Sequence, residues 1–383
     1  MHEHMQKILF VIPDFGVGGT NTSLLSILNA LKNRCDFSIF VISEQGELKA
    51  KFWGTNLVRP NKFLSLWYGN YKVMDTKDKI LATMLKIGKK ITYSLNIDIE
   101  SFILKYISKD KRFSGFDTVV GFQEGNATRF GAFIPAERHI CWIHCNLKYS
   151  NINRKLYIDS YDRYDEIVCV SQSCKHAFDE IYSDFRYKSS VIYNLINRDR
   201  IITLSRTYDD DFANISDGRF TIISVGRIHP IKQFCKIPEV AAKIKTNTIR
   251  FKWIIIGEGE EAEKQNIMNE IQKWGVENEV IMAGFKDNPY PLFAKADLYA
   301  CTSLSEACPM VFLESNVFGL PVVSNDFPSA HELLTEDTGT ICTLDQMPEV
   351  ICRYIVNHYM ISVPDLGIQQ NSLKNLTSLF VEK

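Results

Sequence analysis

Short apolar runs alternate with longer stretches of helical period along most of the chain. β-Branched and aromatic residues cluster over 7–12, 37–42, 118–121, 139–143 and 167–170, then again over 220–225, 251–256, 297–301 and 320–323. These runs are near-continuously apolar, which predicts strands buried on both faces. The intervening stretches repeat leucine and isoleucine at steps of three and four, as Leu24, Leu25, Ile27, Leu28 and Leu31 do. The alternation predicts parallel sheets covered by helices on both sides, an α/β architecture. A polar, acidic stretch over 209–217 reads as a linker. The chain is therefore expected to form one α/β domain over 1–208, a second over 209–363, and a terminal segment over 364–383 with a short helix at 372–379.

The densest pattern is ADLYACTSLSEACPMVFLESNVFGLPVVSN, residues 296–325. It reads as strand, polar loop, helix and strand, a βαβ unit whose loops lie where ligands gather at strand carboxyl ends. Pro309 suits the first helical turn, where its missing N–H costs nothing, and the turn Ala307-Cys308-Pro309-Met310 leaves helix N–H groups facing outward. Glu306 falls in the loop, and Glu314 lies among Val311, Phe312, Leu313 and Val317 on a largely apolar helix. A carboxylate aimed at a ligand accounts for that placement better than a solvated one.

Three further stretches carry candidate chemistry. After the first strand, Gly18-Gly19 opens a helix; Asn21 at the third glycine position breaks the dinucleotide fingerprint, and a plain tight turn remains open. His144 ends the run Cys141-Trp142-Ile143, at a strand's carboxyl edge. Gly226-Arg227, with Lys232 five residues beyond Arg227, follows the first strand of the second domain, where a guanidinium fork and an ammonium suit a diphosphate. Gly257-Glu258-Gly259-Glu260-Glu261-Ala262 satisfies another dinucleotide pattern, but its glutamates would repel a pyrophosphate.

Composition changes this picture little. The 383 residues hold 44 Lys and Arg against 45 Asp and Glu, which does not point to nucleic acid. No apolar run approaches the roughly 18 residues that span a bilayer, and the amino terminus lacks a signal-peptide pattern, so a cytoplasmic protein is expected. Ten scattered cysteines are expected as reduced thiols; Cys141 and Cys145 lack zinc spacing. The segment 72–112 departs from the average, with ten basic and five acidic residues, net +5, on two predicted helices. It is either a solvated face or a surface for an anionic membrane or acceptor, which would make the protein peripheral on the inner membrane face.

The string S-E-x-x-P-x-x-x-L-E at 305–314, together with G-R-x-x-x-x-K at 226–232 and W-x-H at 142–144, resembles the family-4 retaining glycosyltransferases of bacterial surface-polysaccharide synthesis. The resemblance implies a GT-B fold, two Rossmann-like domains facing across a cleft, with the last helix crossing back to the first domain. It implies transfer of a hexose or N-acetylhexosamine from a nucleotide-diphosphate sugar to a hydroxyl of a glycan or lipid-linked acceptor, with retention and without a metal or other cofactor. Glu306 would bind the sugar and steady its cationic character, Glu314 would accept from the ribose hydroxyls, and His144 would face the donor sugar. Arg227 and Lys232 would hold the phosphates beside Gly226, with Gly18 and Gly19 over the diphosphate and the Ala307–Met310 backbone against the sugar. A sugar-nucleotide epimerase of similar fold and a non-catalytic sugar-nucleotide-binding subunit are the alternatives.

Overall fold

The computed structural model describes residues 5–16, 18–52, 54–69, 74–94, 98–150, 154–207, 217–246, 250–357 and 367–381. It divides into two compact units, Met1–Leu195 with Ile368–Lys383, and Ile196–Gly367. The division falls at Leu195, before the linker expected at 209–217, nearly all of which lies outside the described residues. The helix Arg198–Ser205 explains the earlier boundary: it packs on the helices Tyr290–Phe293 and Met310–Val317. Asn288 donates to the carbonyl of Leu204 at 2.8 Å and holds it there.

The first unit is one parallel sheet of β1 (Gln6–Ile12), β2 (Cys35–Val41), β3 (Asn56–Val58), β4 (Thr118–Gly121), β5 (Arg138–Ile143), β6 (Glu166–Cys169) and β7 (Ser189–Val191). Its order is β3-β2-β1-β4-β5-β6-β7. The apolar run in β1 is buried from Ile8 to Ile12, as a strand covered on both faces must be. Leu9, Val11, Phe40, Val119 and Phe130 share one core cluster. The helix Gly367–Phe380, longer than expected, packs on this unit. Arg138 donates to the Leu379 carbonyl at 2.5 Å, and the Phe10 and Phe380 rings lie 6.0 Å apart.

The second unit has β8 (Phe220–Val225), β9 (Phe251–Ile256), β10 (Val280–Gly284), β11 (Leu298–Cys301), β12 (Val322–Asn325) and β13 (Gly339–Cys342), all parallel, in the order β10-β9-β8-β11-β12-β13. Ile222, Trp253, Ile255, Leu298 and Val323 anchor its core. β12 begins two residues later than the apolar run suggested. Gly319 turns through φ 65°, and Pro321 has no N–H to pair, so it offers only its carbonyl, to Tyr299 at 2.9 Å. In both sheets the order reverses beside the first strand, between β1 and β4 and between β8 and β11. In doubly wound sheets, ligands bind outside the strand carboxyl ends at such a reversal.

Candidate active site

The reversal in the second unit explains why residues 74 apart meet. The chain leaves β8 through Gly226 and Arg227 and leaves β11 through Thr302 to Glu306. Because these strands are neighbours, their exits run side by side. Leu304 N–H donates to the Ile231 carbonyl at 2.8 Å, and Thr302 Oγ1 donates to the Lys232 carbonyl at 2.7 Å. Lys232 then forms an ion pair with Glu306, whose Oε1 also accepts from Ser303 Oγ at 2.7 Å. From the β12 side, Asn325 Nδ2 donates to the Ser303 carbonyl and Ser329 Oγ to the Glu306 carbonyl. Glu306 is thus held by three strand exits.

Backbone geometry shapes the Lys232 loop. Gln233, just after it, has φ 51° and ψ 34°, the left-handed region that only this non-glycine residue enters among the described residues. Such a conformation costs about 1 kcal/mol or more and concentrates at functional turns. A Cβ at Gly226 would sit 3.4 Å from Lys232 Cε, an ordinary van der Waals contact, so the lysine packs directly over this glycine. The glycines at 257 and 259 have a structural cause. Pairing continues past β8 and β9, with Ile228 bridged to Gly259, and a Cβ at Gly257 would fall 1.9 Å from the Gly226 carbonyl oxygen.

Glu314 lies elsewhere on the same unit, on the helix Met310–Val317. Pro309 caps that helix, one position before the first turn where it was expected. The first-turn N–H groups of Met310 and Val311 have no intrahelical acceptor. Burial drives the Glu314 carboxyl up to about 7, against the pull of the Tyr290 hydroxyl, which donates to Oε1 at 3.0 Å. Arg227 is exposed, and no hydrogen bond joins it to Lys232 or Glu306 among the described residues. Ala307 is half-buried, while Cys308, Pro309 and Met310 are buried.

Gly18, Gly19 and His144 belong to the first unit. Gly18 precedes the helix Gly19–Leu31 in extended backbone, and the turn before it is tied by Asn21, whose Nδ2 donates to the carbonyls of Asp14 at 3.1 Å and Gly16 at 2.8 Å. Asparagine at the third glycine position therefore has a structural task. His144 leaves β5 with its ring 4.7 Å from Phe122. Burial pushes the imidazole down to about 3, so it is neutral, and its Nε2 is enclosed with no hydrogen-bond partner among the described residues. Sequence reasoning missed the residue behind it. Glu124, on the β4 exit, accepts from the His144 N–H at 2.7 Å, and burial raises its carboxyl. Tyr290 and Ser303 were also missed; a glutamate-partnering role is visible only once neighbouring exits are known.

Comparison with known proteins agrees with this fold. The family model "Glycosyl transferases group 1" matches residues 205–352. A Campylobacter jejuni relative, N-acetylgalactosamine-N,N'-diacetylbacillosaminyl-diphospho-undecaprenol 4-alpha-N-acetylgalactosaminyltransferase, is 25% identical over 339 residues, covering 87% of this chain and 84% of its own. An uncharacterized glycosyltransferase of Haemophilus influenzae is 23% identical, over 98% of this chain and 96% of its own. In structure, the Anabaena protein Alr3699/HepE in complex with UDP-glucose superposes with a TM-score of 0.67 at 18% identity, covering 98% of this chain and 100% of that one. With the doubly wound sheets, these likenesses show a GT-B fold, and the group 1 match at 205–352 together with the glycosyltransferase relatives supports a glycosyltransferase.

Proposed function

We propose that the protein transfers a hexose or N-acetylhexosamine, with retention, from a nucleoside-diphosphate sugar to a hydroxyl of a glycan or lipid-linked acceptor in surface-polysaccharide synthesis. The observation that carries this reading is the Lys232–Glu306 pair, a cation and a carboxylate at the β8/β11 reversal. Breaking the sugar–phosphate bond leaves negative charge on the diphosphate and oxocarbenium character on the sugar. Lys232 and Arg227 meet the first need without a metal, aided by the N-terminus of the helix Met310–Val317. Glu306 meets the second by accepting from sugar hydroxyls and facing the cationic ring. An arriving diphosphate competes with Glu306 for the Lys232 ammonium, so donor binding releases the carboxylate for the sugar. Glu314 accepts from the ribose hydroxyls, and His144 and the Gly18-Gly19 turn are assigned to the donor as well. The Campylobacter relative's lipid-linked diphosphate acceptor and the UDP-glucose of the Anabaena complex support both substrate classes.

The test is turnover of a panel of UDP-, GDP-, ADP- and CMP-sugars, with product anomericity read by NMR. Glu306→Gln should lower kcat about 100-fold or more on the sugar that reacts. Unchanged turnover in that variant, or isomerised donor without an acceptor, would overturn the assignment.

A further inference from the structure

The segment of net positive charge forms two helices, Thr76–Ser94 and Ile99–Ile107, whose outward faces are strongly apolar. Eight of the nineteen large apolar side chains exposed among the described residues fall on them, so the exposure is concentrated rather than scattered. On the first helix Ile80, Met84, Ile87 and Ile91 stand at steps of four, three and four, one continuous stripe. On the second, Phe102 and Tyr106 stand one turn apart. Met84, Phe102 and Tyr106 are 65%, 73% and 75% exposed. The apolar pattern at 102–107 divides in the structure, since Ile107 packs on the core of the first unit.

What turns the stripe outward is a buried ionic knot on the opposite face. Glu100 takes an ion pair from the equally buried Arg129 and hydrogen bonds from Lys89 Nζ at 2.7 Å, Tyr68 at 2.5 Å and the Trp67 indole at 3.1 Å. Ala82 is fully buried on that same side of the first helix. Lys89 is therefore committed inward and belongs to the fold. Lys77 and Lys90 flank the first stripe, and Lys105 and Lys109 flank the second; all four are exposed.

We propose that these two helices rest on an anionic bilayer surface, with Met84, Ile87, Phe102 and Tyr106 in the headgroup boundary and the flanking lysines against lipid phosphates. An amphipathic helix with a lysine-bordered apolar face lies in the interfacial plane. Neither helix is long and apolar enough to cross the membrane instead. Neither carries a residue of the donor site, so vesicle binding and sugar transfer can fail separately.

The experiment is co-sedimentation of the full chain with phosphatidylcholine vesicles, with and without a third of phosphatidylglycerol. Binding should require the anionic lipid and fall in 0.5 M salt. Lys105→Ser with Lys109→Ser should weaken it about 25-fold, at about fivefold per lysine near the surface. Met84→Ser with Phe102→Ser should weaken it at least about tenfold while leaving the melting temperature unchanged, since both side chains are exposed. Equal binding to both vesicle types, binding to neither, or full retention by both variants would overturn the proposal. So would a change from dimer to monomer in the Met84/Phe102 variant in free solution, which would give the face to a second copy.

Discussion

Replacing Glu314 by glutamine should make the protein more stable while making it a worse enzyme. The buried carboxyl ionises near pH 7 in the folded chain but near its ordinary 4.5 when unfolded. Between those values the folded state binds more protons than the unfolded one, so stability falls as pH rises through the window. The gap corresponds to at most about 3 kcal/mol forfeited above pH 7. Glutamine resembles the neutral acid and can still accept from Tyr290, so it escapes this penalty. In urea titrations Glu314→Gln should match the parent near pH 4 and exceed it by about 2–3 kcal/mol at pH 8. The same substitution should weaken nucleotide binding by about 1.5–3 kcal/mol, the worth of a charge-assisted hydrogen bond. Stability gaps of equal size at the two pH values would refute the account of the buried carboxylate. Unchanged nucleotide affinity would refute its role at the ribose.

Lys232→Ala should lose most activity and stay impaired in magnesium, while the parent keeps its turnover in excess EDTA; loss on chelation restored by a divalent ion would show that a metal shares the phosphate task. Arg129→Leu should cost about 3 kcal/mol at pH 7, because it removes one of the two cations paired with a buried carboxylate. Burial alone would raise Glu100, but Arg129 and Lys89 bring it down to about 2. The pairing therefore stabilises fully above about pH 4.5 and is lost as pH falls through 2. Urea midpoints at pH 7 and pH 3 should show the gap between parent and variant narrowing in acid.

The strands that make each sheet's centre were legible because burial on both faces leaves an unbroken apolar run, as in Ile8 to Ile12. β3 and β13 were not, being edge strands of three and four residues, too short to show a period. β10, ending at Gly284, was not legible either. Lys232 and Glu306 were legible as loop residues at strand ends, and the strand order explains why they touch. Glu124 and Tyr290 were not, since each matters through a partner on another strand's exit. At 102–107 the apolar pattern was plain, yet which half faces water depends on the Glu100 knot, and that knot joins residues from four helices.

The paired backbones at Gly226–Ile228 and Gly257–Gly259 bear on how a mutational survey of this protein should be scored. Any side chain at Gly257 pushes on the carbonyl that leads into Arg227 and Lys232. An activity screen would therefore rank positions 257 and 259 beside the charged residues themselves, although neither has a side chain to offer a substrate. Parallel scoring by abundance would separate the two groups. Substitutions at the glycines should deplete the folded protein, whereas Lys232→Ala should leave folded protein that does not turn over.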